Sequence, residues 1–153
     1  MPMASILPAQ ALSFRQILLA DVPMKFAIVL FAAPHAPSSR RALRFAQAAL
    51  AGGHEIVRLF FYQDGVHSAS ANTVVAQDEP DLAGEWRAFL SEQQLDGVVC
   101  IAAALRRGVL NAEEAQRYER PAANLGAGWE LSGLGQLHEA AQLADRLVCF
   151  GGP

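Results

Sequence analysis

Residues 24–62 read MKFAIVLFAAPHAPSSRRALRFAQAALAGGHEIVRLFFY, and this stretch decides the fold. Lys25–Phe31 is a nearly continuous apolar run, as expected of a strand covered on both faces. The Pro- and Ser-rich loop AAPHAPSS follows, where Ser38 or Ser39 can cap a helix by accepting a bond from a free backbone N–H. Over Arg40–Ala51 the residues Leu43, Ala46 and Leu50 form one stripe, with Ala42, Phe45 and Ala49 beside it, which predicts a helix. Gly52 and Gly53 end it, because glycine tolerates the left-handed conformation found after helices. Glu55–Tyr62 is a second apolar run. Strand, helix and strand in this order form the crossover unit of a parallel sheet.

The pattern continues outward. Asp64-Gly65 signals a turn, and residues 66–78 are small and polar and read as a long loop. Asp81–Gln94 reads as a helix with Leu82, Trp86, Phe89 and Leu90 inward, and Gly97–Ala102 as a third strand. AALRRGVL is a connection. Asn111 followed by Glu114 is a capping pair for a helix over Ala112–Tyr118. After a loop at Pro121–Gly128 come a short strand at Trp129–Leu131, a helix over Gly133–Ala144 capped by Ser132, and a last strand at Arg146–Phe150. The expected fold is α/β: a three-layer sandwich with a mostly parallel sheet of about five strands and helices on both faces.

Composition narrows the classes of function. The chain has 153 residues, 52% hydrophobic and 18% charged, which suits one ordered domain. Twelve Lys and Arg against fifteen Asp and Glu give a net charge of −3, so broad binding of nucleic acid is not expected. No apolar run reaches the 18 or so residues of a spanning helix, so no membrane partner is expected. Residues 1–23 hold one basic residue, Arg15, lack the order of a secretory signal, and read as a mobile N-terminal extension before a single domain at 24–153.

Several chemistries fail on spacing. The loop after the first strand has no glycine, and Gly133 and Gly135 are followed by His138 where a dinucleotide fingerprint needs its third glycine. His35, His54, His67 and His138 are dispersed, so no metal site is expected. Cys100 and Cys149 lack the spacing of a dithiol or zinc motif and suit a reducing cytoplasm. Cys149, between Val148 and Phe150, reads as core filling. Cys100 leaves two readings open. One is a small buried hydrophobe, since free cysteine is among the most buried residue types. The other is a reactive thiol at the carboxyl end of a strand, where ligands gather in open parallel sheets. In that case Ala102, Ala103 and Ala104 leave the sulfur reachable, and the charges of Arg106 and Arg107 favour the nucleophilic thiolate. The same arginines equally suit a solvated turn.

Four segments carry a resemblance: MKFAIVLF, FAQAALAGGHEIVRLFFYQDGV, VVCIAAALRRGV and SGLGQLHEAAQLADRLVCF. From Met24 to Phe150 the chain resembles the DsrE/TusD family of sulfur-relay proteins. The resemblance implies a DsrE-like fold with Cys100 as the cysteine that carries sulfur as a persulfide. It implies a TusA-type donor, a TusE- or DsrC-type acceptor, TusB- and TusC-like sister subunits in a hetero-hexamer, and no cofactor. The end point is 2-thiouridine at the tRNA wobble position or, in the DsrE branch, dissimilatory sulfur oxidation. Arg106 and Arg107 are secondary candidates to ionise or orient the sulfur. The segment from Trp129 to Leu134 is a candidate partner-facing surface. A non-catalytic scaffold or binding module with this fold is the alternative, and a flavin-binding module a remote third.

Overall fold

The computed structural model describes residues 22–151, so the expected mobile extension lies almost wholly outside the described residues. Five strands form the sheet: β1 (Lys25–Leu30), β2 (Glu55–Phe61), β3 (Gly97–Cys100), β4 (Trp129–Ser132) and β5 (Arg146–Phe150). Their spatial order is β4-β3-β2-β1-β5, and every neighbouring pair is parallel. The helices are α1 (Pro37–Ala51), α2 (Leu82–Gln93), α3 (Ile101–Arg106), α4 (Ala112–Arg117) and α5 (Leu134–Leu143), with a 3-10 helix at Gln63–Ala69. The expected three-layer α/β sandwich is what the chain forms.

Side-chain alternation assigns the two sheet faces. Phe26 meets Phe45 of α1 at 5.3 Å between ring centroids, and Phe61 meets Trp86 of α2 at 5.2 Å. These pairs mark the face covered by α1 and α2. Ala27 and Val29 point the other way and are 1% exposed; α5, packed on β1 and β2, covers that side. The chain steps from β1 outward to β4, then crosses the sheet through α5 to add β5 beside β1. A helix on the opposite face is what right-handed crossovers require when the direction of winding reverses.

One aromatic cluster holds the β3–β4 half together. Phe61 lies between Trp86 and Trp129, the latter at 4.7 Å in an edge-to-face arrangement. Gly97 makes this closure possible: a Cβ there would meet Trp129 Cε3 at 2.5 Å and Leu90 Cδ1 at 2.7 Å. The rest of the interior holds Phe60 and Phe89 with the aliphatic Ile28, Leu30, Val98 and Val99, the last four at 1% exposure or less.

Several local expectations need correction. Helix α1 begins at Pro37 with Ala36 as N-cap, and no side chain caps it. Ser39 is wholly buried instead, and its hydroxyl accepts the indole N–H of Trp86 at 3.1 Å. Ser132 ends β4 and caps nothing; Gly133 is the N-cap of α5. The expected loop at 66–78 opens with the end of the 3-10 helix, whose Val66 and Ser68 are fully buried. Gly65 lets that helix press on β1, because a Cβ there would collide with the Leu30 carbonyl oxygen. The third strand stops at Cys100, and the expected connection is helix α3. Asn111 does cap α4, accepting from the Glu114 N–H at 2.8 Å, while the Glu114 carboxylate turns to Arg117 at 3.1 Å.

The Ser39–Trp86 bond gives a direct test. Ser39→Ala strands a buried indole N–H and is expected to cost about 1–3 kcal/mol. Ser38→Ala is expected to change stability by less than about 0.5 kcal/mol. Urea denaturation of both variants checks this, and the reverse ranking would restore Ser38 as the residue that matters.

Candidate functional site

Cys100 is the last residue of β3 and the N-cap of α3, with φ −61° and ψ 114°. Strand geometry ends because the next residues prefer a helix: Ala102, Ala103, Ala104 and Leu105 are strong helix formers. In register Cys100 stands beside Ser132 of β4. By alternation its side chain lies on the sheet face of Val98, opposite the aromatic cluster.

The sulfur is not open in the isolated chain. Cys100 is 2% exposed, and the expectation that small neighbours leave it reachable fails. The small residues act in the other sense. Ala103 and Ala104 are 2% and 0% exposed, and their size lets the first turns of α3 pack closely. The 3-10 helix packs on both β3 and α3 and closes the carboxyl end of the strand. Its Ser68 is fully buried, and the Ser68 hydroxyl has no hydrogen-bond partner among the described residues. Sequence reading missed Ser68, because a serine in a small polar run gives no sign of burial.

The two arginines separate. Arg107 Nε donates to Asp64 Oδ1 at 2.8 Å, and its Nη1 donates to the Ala103 carbonyl at 3.4 Å. Asp64 belongs to the 3-10 helix, so Arg107 ties α3 to the element that closes over β3. With side-chain exposures of 28% and 61%, this pair is worth no more than about 1 kcal/mol. Arg106 is exposed and lines a shallow hollow with Leu110, Tyr118 and Arg120. Neither guanidinium makes a hydrogen bond to Cys100.

Cys149 corrects the sequence reading outright. It is exposed, because β5 is an edge strand and α5 covers β1 and β2 rather than β5. Leu147 on the same face is 47% exposed, and Leu134 and Leu143 of α5 are 51% and 61% exposed. The candidate partner-facing segment divides: Trp129 is core at 8% exposure, whereas Leu134 is at the surface. Among the described residues, no group of three His, Cys, Asp or Glu side chains is placed to hold a metal ion. No helix of the described residues is long and apolar enough to cross a membrane.

Comparison with known proteins places this geometry. The model of the DsrE/DsrF-like family matches residues 24–150. A protein of Pseudomonas aeruginosa named "Sulfurtransferase TusD homolog" is 78% identical over 129 residues, covering 84% of this chain and 98% of that protein. A protein of Allochromatium vinosum carrying the name DsrE is 46% identical over 129 residues, covering 84% of this chain and 99% of the other. Among solved structures, the ychN protein from E. coli superposes with a TM-score of 0.66 at 22% identity, covering 83% of this chain and 99% of that one, a likeness of fold alone.

The contrast between the two thiols is open to direct titration. An aromatic disulfide reagent added to the native chain should modify Cys149 promptly and Cys100 far more slowly. Cys149→Ser should remove the prompt reaction, and Cys100→Ser should leave it intact. Equal prompt reaction of both sulfurs would contradict the burial of Cys100.

Proposed function

The chain belongs to the DsrE/DsrF-like family and is a sulfurtransferase of a sulfur relay, and on that premise we propose that Cys100 is the sulfur carrier. The observation that carries this reading is the position of Cys100. It stands at the carboxyl end of a central parallel strand, where the chain passes directly into α3, within the segment VVCIAAALRRGV. Chemistry in open parallel sheets gathers outside the carboxyl ends of the strands. Cys149 sits at the far edge, on a strand the aromatic cluster does not touch.

The transfer is a pair of thiolate displacements. The Cys100 thiolate attacks the outer sulfur of a donor persulfide, R–S–SH. A new S–S bond forms at Cys100, the donor S–S bond breaks, and its electron pair leaves with the donor as R–S⁻. The acceptor thiolate then attacks the outer sulfur of the Cys100 persulfide and releases Cys100 as thiolate. Each step is the chemistry of thiol–disulfide exchange, with no net oxidation and no cofactor. The donor is a TusA-type carrier protein and the acceptor a TusE-type protein, in the cytoplasm, with the sulfur destined for 2-thiouridine at the tRNA wobble position. The likeness to a DsrE protein supports a second destination, dissimilatory sulfur oxidation through a DsrC-type acceptor. The chain's net charge of −3 favours protein partners over direct contact with tRNA.

A buried sulfur must be uncovered before it can react. The Arg107–Asp64 pair that ties α3 to the 3-10 helix is partly exposed and contributes no more than about 1 kcal/mol, so local opening of this cover is the uncovering step. TusB- and TusC-like sister subunits belong to this reading, and the exposed Leu134, Leu143 and Leu147 give them an apolar surface to cover.

Incubation with a persulfidated TusA-type donor should add about 32 Da, one sulfur, to the peptide that holds Cys100. Cys100→Ser should abolish transfer and Cys149→Ser should leave it unchanged. Label confined to Cys149, or transfer that survives Cys100→Ser, would favour a scaffold role. For the assembly, co-expression with the sister subunits should yield a complex on size exclusion that Leu147→Asp combined with Leu143→Asp weakens. A complex indifferent to both changes would place the interface elsewhere.

A further inference from the structure

The loop leaving β1 and the first turns of α1 enclose a concavity of about 360 Å³ at the carboxyl edge of the sheet. Its walls include His35, Arg40, Arg41 and Arg44. A second hollow of about 440 Å³ adjoins it, sharing Pro34, His35, Pro80 and Leu82, and is lined on its far side by Val74 and Val75. Val74 is 92% exposed, an apolar side chain presented to solvent at the rim. The two hollows form one groove, apolar at one end and basic at the other.

The basic end works against its own helix. The N-terminal end of a helix carries partial positive charge that repels cations, and the first turn of α1 holds no acidic residue to offset it. Arg40 and Arg44 repel at a spacing of four, and Arg41 and Arg44 at a spacing of three. Arg40 has Glu85 at 3.6 Å, but neither Arg41 nor Arg44 joins an ion pair among the described residues. This concentration of positive charge stands in a chain of net charge −3. An anionic visitor would relieve the repulsion.

We propose that this groove docks the protein that delivers sulfur to Cys100, through an acidic face that sets carboxylates against Arg41 and Arg44 and an apolar side chain beside Val74 and Leu82. The assignment rests on the relay reading of Cys100. The groove opens on the α1–α2 side and the Cys100 side chain lies on the opposite face, but both stand at the carboxyl edge of the sheet, where the ends of β1 and β3 are about 10 Å apart across β2. The larger hollow is walled by His67 of the 3-10 helix that packs on β3 and α3, so a folded donor seated in the groove reaches the cover of Cys100, whereas a small persulfide held there does not. Glu79, in the wall of the larger hollow, and the apolar rim suit a protein surface better than a polyphosphate backbone. Charge matching of this kind acts chiefly on the rate of encounter and fades with salt.

The test compares transfer rates to Cys100 in the Cys149→Ser background, read by mass spectrometry. The donors are the persulfidated TusA-type carrier protein and glutathione persulfide. The double variant Arg41→Glu with Arg44→Glu keeps good helix formers at two exposed helix positions, and thermal melting monitors its fold. Charge reversal should lower the ratio of protein-donor to glutathione-persulfide rate by about tenfold or more. Raising NaCl from about 20 to about 300 mM should slow the parent protein and not the variant. Arg41→Lys with Arg44→Lys should restore the rate, and Arg87→Glu, an exposed site on α2 outside the groove, should change it less than about twofold. An unchanged ratio overturns the docking assignment. So does an unchanged ratio accompanied by loss of bulk-tRNA binding, which would make the groove a nucleic-acid site. Absence of transfer to the parent protein from either donor overturns the relay reading itself.

Discussion

The contact between Gly97 and the paired faces of Trp129 and Leu90 fixes the half of the molecule that carries Cys100. With no Cβ at Gly97, the indole of Trp129 lies flush on β3 and edge-on to Phe61. That contact seats β4 beside β3, and the parallel register from Gly97–Trp129 to Cys100–Ser132 follows. A larger residue at Gly97 would push β4 away, and the position of Cys100 relative to Ser132 and α3 would move with it. The arrangement at the carboxyl edge thus rests on a packing event at the other end of the same short strand.

Burial of Cys100 sets a condition on the proposed relay. A thiol sealed under α3 and the 3-10 helix is protected from oxidation and from casual thiols. In the proposed relay its exposure is a step of the cycle, gated by the 3-10 helix (Gln63–Ala69) and α3, which pack at the strand end. Local opening of such a segment is a property of small, weakly held elements rather than of the whole domain. Arg107 belongs to this cover through Asp64, which ties α3 to the 3-10 helix.

Most of the fold was legible because its signals are periodic. The apolar runs at β1, β2 and β3 and the stripes of α1 and α2 set strand and helix in alternation, and a parallel sandwich follows. What was not legible depends on position in space. Val148-Cys149-Phe150 reads like a central strand, yet β5 is last in the sheet order, and nothing local to a strand records whether a neighbour lies beyond it. Ser39 looks like a cap until Trp86, 47 residues away, reaches its hydroxyl. The 3-10 helix hid in a small polar run, because its burial comes from the close approach of Gly65 to Leu30. Cys100 itself is marked by its place after an apolar run and before small residues, but Ala103 and Ala104 bring tight packing rather than open access. The Arg107–Asp64 pair, 43 residues apart, had no sequence signal.

A relay role requires that Cys100 be uncovered by local motion or by assembly rather than by unfolding of the domain. The decisive measurement is the rate at which a thiol reagent labels Cys100 in Cys149→Ser protein under native conditions, set beside the global unfolding rate of the same protein. Labelling well above the unfolding rate, in the isolated chain or once the sister subunits are bound, is the expected result. Labelling that never exceeds the unfolding rate in either state would show a sulfur without an entrance, and Cys100 would be a packing residue.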